Sequence, residues 1–455
     1  MSETRRTLYY CGTAIVLALV AFFMAPSQIT PEAFLDQGEP FFPDFTDPNE
    51  ATTLEVIDFD DVTGSARPFK VTFKDERWII PSHHDYQADA KDRLAKTAAG
   101  VIDIKKDDFR TDNVADHGRS DVIDPLDETA TGLSGRGKRV TLKGAGGRVL
   151  ADFIVGKGVL SRPGFRFVRV PGQNRVYAAR MDVDLSTRFE DWIDRDLLQV
   201  EKSKINGVTL KDYSIDERSL SVDQRDNLIL TLKDAEWKAN RMSKGQSVDS
   251  LKISDLLTAL DDLSIVGVRP KPDGLSASLK GSSQGPASLS TADQMSLQRK
   301  GFYLSRDGQL LSNEGELDVQ TTEGVLYTLR FGEVLYGSGL SVTAGSDRKL
   351  GVKDKGAENR FLFVSAYFDK DVFGKAPSRP TNDDFLTKAD SLWTDKDRSN
   401  KERQDKLDQW TRRVETGREL AETLNARFAD WYYVISASNF DKLHLGRKDL
   451  VVSKG

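Results

Sequence analysis

The sequence predicts an α+β protein with two tandem duplicated modules, an N-terminal transmembrane helix and a C-terminal helical region. Three patterns lead to this prediction. Residues 8–25 carry no charge, two pairs of octets recur in the same order, and apolar residues after position 382 follow a heptad-like spacing. Strands interspersed with a single helix favour a mostly antiparallel sheet with that helix on one face of each module.

Composition restricts the class of protein. The 455 residues include 65 Lys and Arg against 71 Asp and Glu, for a net charge of −6. This length suits about three globular units, and 38% hydrophobic residues are too many for a disordered chain. An acidic chain without a basic stripe is not typical of nucleic-acid-binding proteins. The single cysteine, Cys11, excludes an intramolecular disulfide and a cysteine-based zinc cluster.

The uncharged stretch at residues 8–25 predicts a membrane anchor. A helix of this length covers about 27 Å, enough for a hydrocarbon core. Arg5 and Arg6 precede it, whereas residues 26–66 contain ten acidic residues and no Lys or Arg. This asymmetry predicts a single-pass protein of a bacterial inner membrane, with residues 1–7 cytoplasmic and the rest periplasmic. A cleaved secretory signal and a twin-arginine export signal are alternatives that lead to the same compartment.

Residues 26–52 are rich in Pro, Asp and Phe without a regular period, so we predict an extended tether. Phe41, Phe42 and Phe45 have two interpretations. They dock on the first module, or they rest at the bilayer surface.

The duplication rests on two matches between predicted modules at 53–200 and 201–372. Residues 71–78 (VTFKDERW) match 230–237 (LTLKDAEW), and residues 149–156 match 325–332. Each first octet reads as a strand, a turn and a second strand, followed by a helix at 89–101 or 248–263. Each second octet follows a glycine-containing hairpin turn. Chance similarity between hairpins is the alternative.

Residues 271–290, rich in Ser, Gly and Pro, predict a surface loop.

The C-terminal region, 373–455, has a different sequence pattern from the two modules, because its apolar residues recur at helical spacing. We favour a helical hairpin or one long helix packed on its own chain, with two helices joined through the charged residues 397–406 and a self-associating coiled coil as alternatives. Leu386, Ala389 and Trp393 continue the apolar pattern upstream, and the tail from Asp430 to Val452 should fold back onto a core. The apolar seam comprises Leu407, Trp410, Val414, Gly417, Ala421, Leu424 and Phe428.

Two motifs raise the question of catalysis. Residues 281–285 satisfy the G-x-S-x-G pattern of serine hydrolases around Ser283, and His444 is the one histidine that follows it. A nucleophile elbow, however, needs a buried strand before the turn and a helix after it. His83, His84 and Asp85 could bind a metal, yet adjacent side chains of an extended segment point to opposite faces. The alternative is a strand-to-helix turn in which Asp85 or Asp89 caps the following helix.

The remaining candidates have simple structural interpretations. The glycine clusters at 135–137 and 144–147 predict hairpin turns rather than a nucleotide loop. Glu190, Asp191, Asp194 and Asp196 around a tryptophan predict a solvated helix face rather than an acid–base pair. We therefore predict no catalytic, cofactor-binding or metal-binding residues.

Several segments resemble the family called domain of unknown function 4340. They include PFFPDFTDPNEATTLEVIDFD, VTFKDERWIIPSHHDYQAD, LADFIVGKG, FRFVRVPGQNRVYAAR and DWIDRDLLQVEKSKINGVTL, while residues 296–333 and 426–451 are similar to its longer members. The resemblance implies a membrane-anchored protein associated with ABC-type export or gliding-like transporters, and it implies no enzymatic residues.

These features favour a non-enzymatic, membrane-anchored periplasmic accessory or scaffold protein, with protein partners in an ABC-type transporter complex and no cofactor. A periplasmic module that binds envelope polysaccharide or peptide is the alternative. A serine hydrolase that uses Ser283 is a third hypothesis.

Overall fold

The computed structural model describes residues 3–24, 36–62, 64–130, 132–216, 221–281, 289–305, 307–337, 340–345 and 358–453. The chain forms two compact units. The first comprises Met1–Lys70 and Asp92–Leu185, and the second comprises Val71–Lys91 and Ser186–Gly455.

The described residues form helices and mostly antiparallel strands. The helices are α1 (Glu3–Met24), α2 (Lys91–Ile102), α3 (Ser250–Asp261), α4 (Asp273–Gly281), α5 (Thr291–Gln298), α6 (Leu340–Thr343), α7 (Asp395–Ala429), α8 (Ala437–Leu443) and α9 (Arg447–Leu450). The strands are β1 (Thr53–Asp60), β2 (Ser65–Lys74), β3 (Arg77–Ile80), β4 (Tyr86–Gln87), β5 (Asp108–Thr111), β6 (Lys138–Lys143), β7 (Val149–Gly158), β8 (Phe165–Arg169), β9 (Val176–Arg180), β10 (Ile205–Asp216), β11 (Ser221–Lys233), β12 (Glu236–Ala239), β13 (Gln246–Val248), β14 (Gly267–Pro270), β15 (Phe302–Leu304), β16 (Leu310–Ser312), β17 (Glu316–Thr321), β18 (Val325–Tyr336), β19 (Glu358–Phe368), β20 (Trp431–Ser436) and β21 (Val451–Ser453). This composition confirms the predicted mixture of antiparallel sheets and helices.

Helix α1 covers most of the predicted anchor at residues 8–25. Over the described residues, no helix combines the length and the apolar character that crossing a membrane requires. A membrane-spanning role for this segment therefore stays a prediction.

The first unit is built on a sheet with the strand order β2-β1-β6-β7-β8-β9-β5. Helix α2 buries Leu94, Ala98 and Val101, which recur at helical spacing. The glycine cluster at 144–147 forms the turn between β6 and β7, as predicted. The cluster at 135–137 is not a hairpin turn, because its backbone pairs with Ile123 before β6 begins.

The described part of the predicted tether is packed on the first unit. Phe41 lies edge-on to Tyr177 with ring centroids 5.4 Å apart, and Phe42 lies 5.6 Å from Phe153. Phe45 is 2% exposed. The docking interpretation is therefore correct for these aromatic residues.

The second unit contains a sheet with the order β12-β11-β10-β17-β18-β19-β20-β14. Strand β20 comes from the C-terminal tail and pairs with β19 and β14. The tail thus folds back onto a core, as predicted. Residues 271–290 differ from the predicted loop, because Asp273–Gly281 form helix α4.

Helix α7 is one continuous helix of 35 residues, about 52 Å long. It begins at a capping box in which Thr394 and Asp397 bond reciprocally, so Leu386, Ala389 and Trp393 lie before it rather than in it. Of the two favoured arrangements, one long helix packed on its own chain is correct and the helical hairpin is wrong, as is the alternative of two helices joined through residues 397–406. Its buried positions include five of the predicted seam: Val414, Gly417, Ala421, Leu424 and Phe428.

The two sheets share a strand order, since β2-β1-β6-β7-β8-β9-β5 corresponds in chain order to β11-β10-β17-β18-β19-β20-β14. Each of the two octets 71–78 and 230–237 also forms a hairpin of the same type. Phe73 opposes Trp78 and Leu232 opposes Trp237, and both two-residue turns (75–76 and 234–235) have positive φ, as in a type I′ turn.

Candidate ligand-binding cleft

The second unit carries a cleft of about 450 Å³ built from segments far apart in sequence. Four aspartates and two arginines line it, for a formal charge of −2, together with aromatic and carboxamide side chains. Its lining residues are Arg77, Asp85, Tyr86, Gln87, Ala88, Asp89, Asp194, Gln199, Arg427, Asp430 and Trp431.

One wall is the segment around β4. Tyr86 is 6% exposed and lies edge-on to Trp431 at 4.9 Å and to Phe189 at 5.5 Å. Burial raises the pKa of Tyr86 to about 12, so its hydroxyl stays protonated and can donate a hydrogen bond. The backbone of His84 and Asp85 is left-handed, with φ of 60° and 58°. Non-glycine residues rarely adopt this conformation, and it concentrates at functional sites.

The opposite wall joins Arg427, near the end of α7, to the loop after Trp192. The Arg427 guanidinium donates to the Asp194 carboxylate at 3.5 Å and to the Asp196 carbonyl at 3.3 Å. Asp194 also accepts from the Gln199 side chain at 3.0 Å. Burial raises the pKa of Asp196, and Gln199 has a φ of 53°. The loop is held in shape by charge-assisted hydrogen bonds and presents Asp194 to the cleft.

Asp430 closes the cleft at the junction of α7 and β20. Burial acts to raise the pKa of Asp430. Hydrogen bonds from Lys280 and Ser276 and the charges of Lys280 and Lys271 outweigh this effect and lower the pKa below its usual value. The Lys280 ammonium donates to Asp430 at 2.9 Å. This carboxylate is therefore ionised at neutral pH and held on the α4 side.

His83 and His84 position the turn. His83 is 1% exposed, its Nε2 lies 2.9 Å from the Thr343 hydroxyl, and its ring stacks on Phe189 at 4.4 Å. Burial lowers the pKa of His83 to about 4, so its ring is neutral at pH 7. His84 Nε2 lies 2.6 Å from the Ala344 carbonyl oxygen. The two imidazoles thus pair with hydroxyl and carbonyl groups. Across the described ranges, no three His, Cys, Asp or Glu side chains are grouped to hold a metal ion.

The predicted solvated helix face at Glu190, Asp191, Asp194 and Asp196 is wrong. Phe189–Asp191 form a single 3₁₀ turn around the fully buried Trp192. Asp191 accepts a hydrogen bond from Ser186 at 2.6 Å and pairs with Arg195, whereas Asp194 and Gln199 turn to the cleft. Packing of Trp192 decides this arrangement, which the charge pattern does not reveal.

The hydrolase motif receives little geometric support. Ser283 lies outside the described residues, and the element that ends at Gly281 is helix α4 rather than a strand. His444 stacks on Phe440 at 4.7 Å and lies edge-on to Phe331.

The cleft suits non-covalent binding of a polar molecule. Its carboxylates, guanidinium groups and Gln side chains supply donors and acceptors in fixed positions, and Trp431 supplies an apolar surface. Sequence reasoning singled out the segments at 83–85 and 190–196 but missed Arg427 and Trp431. No sequence signal links these to Asp194, because α7 and β20 bring them together only in the folded unit.

The fold and the cleft thus define an α+β protein with antiparallel sheets and a polar cleft. The model of the family described as "Domain of unknown function (DUF4340)" matches residues 78–279, which confirms the predicted resemblance over this part of the chain. The match covers the β4 segment and the loop with Asp194 and Gln199, whereas Arg427 and Trp431 lie beyond it. No curated protein and no solved structure matches the chain.

Proposed function

We propose that this chain is a non-enzymatic accessory or scaffold protein, anchored in a bacterial inner membrane by residues 8–25 and otherwise periplasmic. Its partners in this proposal are subunits of an ABC-type export or gliding-like transporter complex. The transporter partnership is what the family resemblance implies.

The observation that carries the proposal is the apolar surface of α1. Exposed large apolar side chains follow one another along it, between 46% and 75% exposed: Tyr10, Ile15, Val16, Leu17, Leu19 and Val20. Each aliphatic side chain of this size favours an apolar environment over water by about 1.5–3 kcal/mol. A lipid bilayer covers such a helix on all sides, and the Arg5 and Arg6 pair favours a cytoplasmic N-terminus.

The shared strand order of the two sheets supports a gene duplication as the origin of the modules. Two sheets of seven corresponding strands, each with the same type of hairpin, are expected from an ancestral repeat. A duplicated scaffold offers two related surfaces for partners.

Membrane association can be tested with one charge placed in α1. Leu17→Arg should move the full chain from the membrane fraction to the soluble fraction, because an arginine at the centre of a spanning helix costs about 2.5–3.5 kcal/mol. Leu251→Arg is the matched control, since Leu251 is also exposed but lies on α3. Equal fractionation of both variants with the unmodified chain would contradict the anchor.

Topology and partnership need separate measurements. A tag fused after Gly455 should be digested by protease in intact spheroplasts. Mild crosslinking followed by detergent purification should recover transporter subunits with the chain. A protected tag would contradict the periplasmic location, and recovery of the chain alone would contradict the transporter partnership.

The cleft favours a second function, binding of envelope polysaccharide or peptide. Aromatic rings beside carboxylates, guanidinium groups and carboxamides suit both ligand classes. A soluble envelope-polysaccharide fraction should release heat on titration into the full chain in detergent, and Trp431→Ala should abolish it. Trp393→Ala, outside this cleft, is the control. Identical heats from the unmodified chain and Trp431→Ala would rule out this cleft as the site.

A further inference from the structure

We propose that the outer edge of β12 is a docking site for an extended strand of a partner protein. The partner strand pairs with β12 and inserts an apolar side chain into the groove beside it. This inference does not depend on the anchor or on the transporter partnership.

The edge of β12 is available for pairing. This strand is the last in its sheet, and Asn240 N–H, just after it, donates to the Ile229 carbonyl at 2.9 Å. Because inward and outward positions alternate along an antiparallel strand, the backbone groups of Trp237 and Ala239 point away from β11. Among the described residues, no strand pairs with β12 on that outer side.

A groove of about 690 Å³ follows this edge. Consecutive residues Glu236, Trp237 and Lys238 all line it. Since their side chains point alternately to the two faces, the groove lies along the edge rather than on one face. Ile253 and Leu257 of α3 supply apolar surface on the far side.

The matching hairpin shows what such an edge accepts. Strand β3 follows the corresponding turn, and β4 pairs with its outer side in the register Ile80 opposite Tyr86. Ala88 N–H also donates to the Trp78 carbonyl at 2.9 Å. Trp78 corresponds to Trp237 in the matched octets, so the occupant that fits the β12 edge is an extended strand.

The equivalent of β4 pairs with a different strand in the second sheet. In chain order that equivalent is β13, which pairs with β21 through Ser247 opposite Val452 instead of covering β12. The groove is lined by β12 on one side and by β13 and α3 on the other. A partner strand can therefore take the position that β4 occupies beside β3, a mode in which backbone hydrogen bonds give affinity and side-chain pockets give specificity.

Charge narrows the chemistry of the partner. Two lysines, Lys202 and Lys238, and one carboxylate, Glu236, line the groove. An extended segment with an aromatic or aliphatic side chain beside an acidic residue complements this lining. The β4 segment has this pattern, with Tyr86 between Asp85 and Asp89.

The probe is a labelled peptide with the sequence of residues 83–90, HHDYQADA, added to the full chain in detergent and followed by fluorescence anisotropy. We expect saturable binding that Trp237→Ala weakens at least about tenfold, as loss of a buried interface tryptophan does. Ala239→Pro removes an outward N–H without removing a bond to β11 and should weaken binding similarly. Trp78→Ala is the matched control and should bind like the unmodified chain.

A second probe separates strand pairing from simple adhesion. The same peptide N-methylated at the position of Ala88 cannot donate to the Trp237 carbonyl and should lose binding. Equal binding of the methylated peptide, equal binding by Trp237→Ala and Ala239→Pro, or no binding by the unmodified chain would each overturn the proposal. Self-association of the chain through Trp237 without peptide binding would overturn it in favour of a second copy.

Discussion

At the scale of single residues, close approaches decide how α7 meets its neighbours. Gly417 lies in the apolar seam, where a glycine weakens an isolated helix by about 1 kcal/mol relative to alanine. A Cβ atom at this position would lie 2.2 Å from the Glu323 carbonyl oxygen. The glycine therefore allows α7 to reach the turn between β17 and β18, and packing outweighs helix propensity.

We expect Gly417→Ala to destabilise the chain by about 1–3 kcal/mol, because overpacking against backbone exceeds the gain in helix propensity. Urea unfolding followed by circular dichroism measures the change. Ser399→Ala, at an exposed position of the same helix, is the control and should change stability by less than about 0.5 kcal/mol. A stabilised Gly417→Ala chain would contradict the close approach.

Burial of His83 makes the stability of the folded chain depend on pH. Its pKa is lowered from 6.5 to about 4 in the folded chain, mainly by burial. Between these values the unfolded chain binds a proton that the folded chain does not, so the free energy of unfolding falls as the pH falls from 6.5 to 4, by at most about 3 kcal/mol.

His83→Gln should remove this part of the pH dependence. Denaturant unfolding of both chains at pH 7, 6, 5 and 4 gives the comparison. The difference in stability between them should shrink steadily below pH 6.5, while it stays constant above. Parallel curves across this range would show that the pKa of His83 is the same in the folded and unfolded chains, which would contradict the lowered value.

At the scale of secondary-structure elements, the two matched hairpins show how a short octet specifies a local structure. Both octets place two non-glycine residues in the left-handed region, Asp75 and Glu76 in one turn and Asp234 and Ala235 in the other. This conformation suits the twist of a two-residue hairpin but costs about 1–2 kcal/mol for each such residue. The strands on either side hold the turn in place.

Ala235→Gly should stabilise the chain by about 1 kcal/mol, because glycine adopts positive φ without a steric cost. Glu76→Gly tests the matched turn and should have a similar effect. Ala239→Gly is the control within β12 and should destabilise instead. Thermal unfolding monitored by circular dichroism distinguishes the three. A loss of stability in both turn variants would contradict the type I′ geometry.

At the scale of the whole molecule, the second compact unit is discontinuous in sequence. Residues 71–91 belong to it together with 186–455. The segment brings Tyr86 to Trp431 and His83 to Phe189, and the Asp89 amide donates to the Trp192 carbonyl at 2.8 Å. The cleft is incomplete without it.

A fragment of residues 186–455 should therefore unfold at lower denaturant concentration than the full chain. Adding a peptide of residues 71–91 should raise its stability, since a ligand that binds only the folded state stabilises it by mass action. A peptide with Tyr86→Ala should have a smaller effect. If the peptide does not change the stability of the fragment at any concentration, the assignment of this segment to the second unit is contradicted.

Local patterns in the sequence sufficed for much of the fold. The alternation at 71–78 and 230–237 predicts the hairpins, and the spacing from Val414 to Phe428 predicts the buried face of α7. These succeed because side-chain periodicity and turn chemistry act between residues close in the chain. The helix in residues 273–281 was missed, because its Ser and Gly content disfavours a helix that packing on the core then stabilises.

The sequence alone determined the apolar N-terminal segment, the charge asymmetry around it, the mixed antiparallel architecture and the resemblance of residues 78–279 to a family of unknown function. Tertiary structure decided the cleft, because Tyr86, Asp194, Arg427 and Trp431 come from segments up to 345 positions apart. It also decided that, among the described strands, none pairs with the outer side of β12 whereas β4 pairs with β3, since β13 pairs with the tail at β21. Contacts between distant segments depend on how the whole unit closes, and no local pattern encodes that closure.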